Sequence, residues 1–169
     1  MNVDARSDLS LRRVTALNVE EVCDLSDTLT AEQQEMVADN ARSLAVGFCS
    51  GSAWFRAVYA GETPVGFVMT HTGYDWDDDI ECPGVYLWRL MVARPYQGMG
   101  FGRRVVELVA RDVLASGRTE LFTSFGEGAG SPEAFYDRLG FVRTGDSYGD
   151  EPEVVLDVRR FLAAVDAAG

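Results

Sequence analysis

The chain has 169 residues and a mass of 18.5 kDa, which suits one compact domain with a sizeable core. Its formal net charge is −12, from 15 basic and 27 acidic residues, so nucleic acid, which requires a basic surface, is not an expected partner. Hydrophobic residues make up 47% of the chain, but no apolar run approaches the roughly 20 residues that cross a membrane. Residues 1–9 also lack the apolar core of a secretory signal. We therefore expect a single cytoplasmic domain over residues 1–169, with no membrane partner.

The residue types present exclude several kinds of active site. All 15 basic residues are arginine, and the absence of lysine removes both the P-loop phosphate site and any Schiff-base lysine. His71 is the only histidine, and the three cysteines are scattered without the spacing of metal ligands. We expect no metal, and free thiols rather than disulfides.

In the first half of the chain, hydrophobic spacing predicts one strand, two helices and a hairpin. The first strand covers Leu9 to Val14. Asn18 is a candidate cap for a helix from Val19 to Asp27, and Thr30 for a helix from Ala31 to about Val46. Two strands, 54–60 and 65–71, flank the turn sequence Gly-Glu-Thr-Pro, which predicts an antiparallel hairpin.

The second half begins with an acidic segment, residues 75–81, and continues with a strongly apolar strand from Val85 to Val92. A glycine-rich turn after Pro95 then opens a long helix to about Ala115. The remaining predictions are a strand over 121–125, a helix over 132–139 and strands over 141–144 and 154–158. This order predicts an α+β fold with a mixed, mostly antiparallel sheet of six to seven strands and about four flanking helices, and not a doubly wound fold.

The turn that opens the long helix has the chemistry of an anion site. Glycines at 98, 100 and 102 allow a tight turn whose N–H groups converge at a helix N-terminus. Arg103, Arg104 or Arg94 can add positive charge, so a pyrophosphate is the expected ligand. The third glycine falls one position too early for the dinucleotide fingerprint Gly-x-Gly-x-x-Gly. A tight strand-to-helix turn without a ligand is the alternative interpretation.

Two segments carry a resemblance to a known family. Gln97-Gly98-Met99-Gly100-Phe101-Gly102 is similar to motif A of the GCN5-related N-acetyltransferases (GNAT), Gln/Arg-x-x-Gly-x-Gly/Ala. The segment 132–141, with its Phe-Tyr and Leu-Gly-Phe, resembles motif B. The resemblance extends from Leu11 to Val158. Segments 37–45, 57–60, 64–69 and 87–92 resemble the bacterial spermine/spermidine N-acetyltransferase subgroup.

The resemblance implies a GNAT-like fold and acetyl transfer from acetyl-CoA to a primary amine. Tyr136 would protonate the departing thiolate, and a phenol with a pKa of about 10 can donate to a thiolate whose conjugate acid has a pKa of about 8.5. Its alternative role is packing on the sheet. Ser131 lies in a region where many family members have an asparagine that contacts the cofactor. The implied cofactor contacts are Met91, Val92, Gln97, Gly98, Met99, Gly100, Phe101, Gly102, Arg103, Ser131 and Phe135.

Acetyl transfer also requires a neutral amine and a donor to the thioester oxygen. The N–H of Met91 or of Val92 is the predicted donor. Glu81 and His71 are the candidate catalytic bases, with Asp79 beside them. The acidic segment is either a solvated loop or a collar for a cationic substrate, in which Tyr74, Trp76 and Asp79 would contact the substrate.

Several functions fit these expectations. A small cationic amine, most plausibly a polyamine, is the preferred acceptor, and an antibiotic amino group or a protein N-terminus is the nearby alternative. A non-catalytic acyl-CoA-binding module is the alternative of another class, whereas a purely structural domain would leave the glycine turn unexplained. A homodimer is the default assembly, because dimers are common in the family.

Overall fold

A computed structural model describes residues 3–73 and 84–168. Within them lie seven strands and six α-helices, in the order β1 (Leu9–Arg12), α1 (Val19–Asp24), α2 (Ala31–Met36), α3 (Asn40–Cys49), β2 (Trp54–Ala60), β3 (Thr63–Thr72), β4 (Val85–Val92), α4 (Phe101–Ala115), β5 (Glu120–Ser124), α5 (Glu133–Leu139), β6 (Val142–Tyr148), β7 (Glu151–Asp157) and α6 (Val158–Ala168).

The strands form one mixed sheet in the order β1-β2-β3-β4-β5-β7-β6. Every neighbouring pair is antiparallel except β4 and β5, which are parallel. The predicted α+β architecture is therefore confirmed. Two hydrophobic clusters cover the two faces of the sheet. The larger includes the apolar residues of α4 and α6, such as Val105, Val109, Val113 and Phe161, and the smaller includes Val22, Leu44, Phe67 and Met69.

Two helical predictions were wrong in their boundaries. The helix predicted from Ala31 to Val46 is two helices, because Val37 is extended (φ −143°, ψ 132°) and Asp39 begins a new helix by accepting the Arg42 N–H at 2.8 Å. The C-terminal helix α6 was not predicted, since Val158 was assigned to the preceding strand. Val158, Phe161 and Leu162 are all buried, at helical spacing.

Strand β4 contains a β-bulge in the middle of the sheet. Met69 of β3 lies opposite Arg89, and Thr70 lies opposite Leu87, so Trp88 is the extra residue on β4. The bulge changes which way the backbone and side chains of β4 face after Leu87. It lies directly ahead of the segment that lines the candidate site.

Gly66 allows β3 to pack closely on β4 beside Met91, in the part of β4 that lines the candidate site. A Cβ at Gly66 would overlap the Met91 carbonyl oxygen. We predict that Gly66→Ala lowers the free energy of unfolding by about 2–3 kcal/mol, measured by urea denaturation, because backbone must move to relieve the overlap. Gly61→Ala, at φ 59° with nothing within 4 Å of the added carbon, should cost only about 1 kcal/mol. Equal losses in the two variants would contradict this account.

Candidate active site

A cavity of about 1140 Å³ opens between β4 and β5. Its walls come from five parts of the chain: α2, strand β4, the turn and first residues of α4, the end of β5 with α5, and the adjoining ends of β6 and β7. No single segment builds it. The cavity divides into a wall formed by the α4 turn and a second region formed by Tyr86, Trp88, Arg89, Ser124, Tyr148 and Glu151, which we call the acceptor end.

The cavity exists because β4 and β5 stop pairing early. Only Val85 with Leu121 and Tyr86 with Phe122 are paired. The hydroxyl of Thr123 then donates to the Leu87 carbonyl at 2.8 Å, where the next backbone bond of the ladder would be. Beyond this point the edge of β4 that faces β5 has no partner strand. We call this opening the split.

The alternation of a strand decides which backbone groups of β4 face the split. The Ala93 N–H donates to the Val65 carbonyl at 2.8 Å, and the Met91 carbonyl lies against Gly66, so both residues face β3. Leu90 and Val92 therefore turn their N–H groups toward the split. Of the two predicted oxyanion donors, Val92 faces the split and Met91 faces β3. Leu90 was missed, because the bulge that sets this alternation has no signal in the sequence.

The glycine turn presents backbone N–H groups to the cavity. Gly98 and Gly100 have φ of 78° and 82°, which is the left-handed region that glycine tolerates. The first hydrogen bond that closes a turn of α4 runs from the Arg104 N–H to the Gly100 carbonyl at 3.2 Å. The N–H groups ahead of Arg104 have no acceptor within the helix. This end of α4 also carries the positive end of the helix dipole, so it suits an anion.

Most of the predicted cofactor residues lie at the cavity. Every one of them lines it except Met99, which packs against the larger core cluster. Arg103 is exposed at the cavity, whereas Arg104 donates to the carbonyls of Ala5 and Ser7. The Ser131 hydroxyl also lines the cavity and accepts the Glu133 N–H at 3.3 Å.

Gln97 connects the turn to its neighbours. Its side-chain Nε2 donates to the Val92 carbonyl at 2.9 Å, and its Oε1 accepts from the Gln33 amide at 3.0 Å. Both of these contacts are with protein groups. The side chain therefore positions the turn, and it is the backbone that faces the cavity.

Tyr136 of α5 reaches the cavity from an aromatic cluster. Its ring stacks on Phe125 at 5.8 Å between centroids and meets the edges of Phe135 and Phe141 at 5.1 Å each. Only 6% of the residue is exposed. Burial raises the pKa of Tyr136 to about 12, although the neighbouring Thr123 hydroxyl acts to lower it. The phenol is therefore neutral and carries its proton at physiological pH.

The other predicted catalytic and substrate residues do not all reach this site. His71 is 1% exposed, does not line the cavity, and packs against Tyr86 and Trp88 at 5.2 and 5.1 Å between centroids. Its role as a base stays a prediction. The predicted residues Tyr74, Trp76, Asp79 and Glu81 lie outside the described residues.

The acceptor end contains residues that were not predicted. Ser124 donates to the Glu151 carboxylate at 2.6 Å, and the rings of Tyr86 and Tyr148 meet edge to face at 4.9 Å. Burial raises the pKa of Tyr86 well above its ordinary value. These residues come from β4, β5 and the β6–β7 hairpin, three segments that are far apart in sequence, so only the folded sheet brings them together.

In residues 3–73 and 84–168, no group of three His, Cys, Asp or Glu side chains could hold a metal ion. Among the helices of these two ranges, none is long and apolar enough to cross a bilayer.

Comparison with known proteins identifies the family. The sequence model of the acetyltransferase (GNAT) family matches residues 19–141, which is more than half of the chain. The chain belongs to this GNAT family. No curated protein matches the sequence.

Solved acetyltransferase structures have the same fold. An acetyltransferase from Thermus thermophilus is 22% identical, with 88% of this chain and 96% of that chain covered and a TM-score of 0.64. The PaiA N-acetyltransferase from Thermoplasma acidophilum, solved with coenzyme A, is 16% identical, with 89% and 99% covered and a TM-score of 0.63. The aminoglycoside acetyltransferase AAC(6')-Ib, also with coenzyme A, is 16% identical, with 92% and 98% covered and a TM-score of 0.68.

As a GNAT acetyltransferase, the protein uses acetyl-CoA as its co-substrate, and the residues at the cavity fit that molecule. The glycine turn and Arg103 offer N–H groups and a positive charge suited to a diphosphate. The N–H groups of Leu90 and Val92 suit an extended, amide-containing arm lying along β4. The acetyl group would then lie near Tyr136.

The raised pKa of Tyr136 makes stability depend on pH. Between pH 10 and about 12 the folded state keeps a proton that the unfolded state loses, so stability falls as pH rises through this range. We predict that the wild type loses roughly 2–3 kcal/mol more than Tyr136→Phe does between pH 9 and 12. Urea denaturation at each pH measures this, and absorbance at 295 nm follows the ionisation. Parallel pH profiles would contradict the assignment.

Proposed function

We propose that this GNAT protein transfers the acetyl group of acetyl-CoA directly to the primary amine of a small acceptor, with Tyr136 as general acid. The observation that carries this proposal is the position of the Tyr136 phenol, buried and neutral, beside the split and next to Thr123.

In the proposed reaction the amine nitrogen attacks the thioester carbonyl carbon. Leu90 and Val92 each turn one N–H group toward the split, so one of them can hold the arm of the cofactor while the other donates to the carbonyl oxygen as it gains negative charge. The C–S bond then breaks, and the leaving sulfur takes the phenolic proton of Tyr136. Because the pKa of Tyr136 is raised to about 12, the phenol carries its proton at neutral pH.

The amine must lose a proton before it attacks. Glu151 is a further candidate to receive this proton, because its carboxylate lines the cavity and is already held by Ser124 at 2.6 Å. Glu81 and His71 stay predictions for the same role. The proton reaches solvent from Glu151 through the open side of the cavity, since Glu151 is exposed.

The charges at the acceptor end bear on the class of the acceptor. The polyamine expectation comes from the resemblance to the spermine/spermidine N-acetyltransferase subgroup, from the acidic segment 75–81 and from the net charge of −12. Glu151 favours an ammonium group. Arg89, at the same end of the cavity, disfavours an acceptor whose charges are all positive.

Tyr136→Phe tests the general acid. We predict that kcat falls at least about a hundredfold, while the dissociation constant of acetyl-CoA changes little, because the ring stays and only the proton donor is lost. Stopped-flow or steady-state release of the CoA thiol measures kcat, and calorimetry measures binding. Tyr59→Phe is the control, since Tyr59 is buried and its hydroxyl accepts from Asn18 at 3.3 Å, away from the cavity. Intact turnover in Tyr136→Phe would show that the phenol is not the acid.

Gly100→Ala tests the anion site. Alanine at φ 82° is strained by roughly 1–2 kcal/mol, and relief of that strain would turn the N–H groups of the turn away from the cavity. We expect acetyl-CoA to bind at least about tenfold more weakly. The affinity for pantetheine, which has no diphosphate to contact the turn, should change less. Calorimetric titration with each compound separates the two. An equal loss for both would place the diphosphate elsewhere.

Acetyl transfer itself is tested by thiol release with a panel of spermidine, spermine, diamines, aminoglycosides and peptides. The chain has no lysine, so self-acetylation at lysine cannot consume acetyl-CoA during the assay. Release that depends on an added amine supports the proposal. Tight binding of CoA without release for any amine would support a non-catalytic acyl-CoA-binding module instead.

A further inference from the structure

The acceptor end of the cavity contains an arginine whose charge no described residue neutralises. Arg89 follows the bulge residue Trp88 on β4, and it lines the cavity. Its Nη1 donates to the Trp88 carbonyl at 2.8 Å, and its guanidinium carbon lies 5.3 Å from the centroid of the Trp88 ring. The ion pairs found in residues 3–73 and 84–168 do not include Arg89.

Because the Arg89 side chain is partly buried, leaving its positive charge without a neutralising partner costs the free protein stability. The side chain is partly buried, and its Nε is buried without a hydrogen-bond partner among the described residues. Burial lowers the pKa of the guanidinium, Glu151 raises it, and Arg42 lowers it by repulsion. A buried cation is stable when an anion and hydrogen-bond acceptors compensate it. An arginine in a ligand cavity without such compensation indicates that a ligand supplies it.

The same part of the cavity also presents a negative charge. Glu151 lines the cavity, is held by Ser124 at 2.6 Å, and is the first of the charged groups that act on Arg89. Among the described residues it forms no ion pair with Arg89 within 4 Å, so neither of these two charges neutralises the other by direct contact. The aromatic rings of Tyr86, Trp88 and Tyr148 line the space around them.

We propose that the acetyl acceptor is a small zwitterion, and that Arg89 binds its carboxylate while Glu151 binds its ammonium group. The proposal rests on the acetyl transfer proposed above and names the substrate class for the same cavity. A planar guanidinium matches a carboxylate in geometry as well as in charge. A polyamine has no group to pair with Arg89 and would place an additional cation beside it.

The experiment compares acceptors that differ only in the carboxylate. The pairs are lysine with cadaverine, ornithine with putrescine, and phenylalanine with phenethylamine, and spermidine is added as the polyamine. Thiol release at saturating acetyl-CoA gives kcat/KM for each acceptor. For at least one pair we expect the amino acid to be used at least about tenfold better than its decarboxylated partner, because a hydrogen-bonded charge pair is lost with the carboxylate.

Arg89→Gln should remove this preference. We expect kcat/KM for the amino acid to fall at least about tenfold, mainly through KM, and kcat/KM for the decarboxylated amine to stay within about threefold. Arg56→Gln is the matched control. Arg56 also donates to the carbonyl of its preceding residue, at 2.7 Å, and lies over a tryptophan ring, Trp54, at 4.7 Å, but it does not line the cavity. It should leave the preference unchanged.

A binding measurement separates this inference from acetyl transfer itself. Calorimetry of the CoA-saturated protein with 3-phenylpropanoate or hexanoate, which have the carboxylate without the α-amine, should show binding that Arg89→Gln abolishes. If no amine releases thiol but these carboxylates bind through Arg89, acetyl transfer is wrong and the anion site remains. Equal use of both members of every pair, a preference for the decarboxylated amines or spermidine, or a preference that survives Arg89→Gln would overturn the inference.

Discussion

The early separation of β4 from β5 is the constraint on which the site depends. Backbone N–H and C=O groups left unpaired inside a protein are costly, so a sheet that splits at its centre must satisfy them in another way. Here the Thr123 hydroxyl donates to the Leu87 carbonyl, and the Gln97 side-chain amide donates to the Val92 carbonyl. The N–H groups of Leu90 and Val92 remain for a ligand. The protein thus satisfies two acceptors along this edge with its own side chains and leaves the N–H donors of Leu90 and Val92 open, and a thioester oxygen requires donors.

Tyr136 depends on the same separation. Its ring is held by Phe125, just after β5, by Phe135 within α5, and by Phe141 just after α5. If β5 continued to pair with β4, the phenol would face a closed sheet and not a cavity. The burial that fixes the ring also raises the pKa of the phenol, so position and protonation state have one cause. A neutral, immobile acid next to an open backbone edge is the result.

Many of the residues that fit the cofactor could be predicted from the sequence, because they lie in short, continuous segments. The glycine turn, the start of α4 and the Phe-Tyr pair of α5 lie in short segments whose pattern fixes both geometry and chemistry. The bulge at Trp88 could not be predicted, since it arises from a register shift against β3. The acceptor end was missed for the same reason. Arg89, Ser124 and Glu151 come together only through the order of the strands in the sheet. The break between helices α2 and α3 was also missed, because apolar spacing alone did not reveal it.

Net charge and local charge act at different distances. This explains how a chain with a net charge of −12 can bind an anionic co-substrate. The charge of −12 attracts amines and repels the anionic co-substrate only within about a Debye length, roughly 8 Å at physiological ionic strength. At contact, Arg103 and the N-terminus of α4 face one ligand, while Arg89 and Glu151 face the other. Long-range attraction therefore favours any acceptor with a net positive charge, whereas selection of a zwitterion must come from short-range contacts. Glu151 cannot provide this selection alone, because every amine acceptor carries the group that it binds. Arg89 can, because only some amines bring a negative charge to the acceptor end.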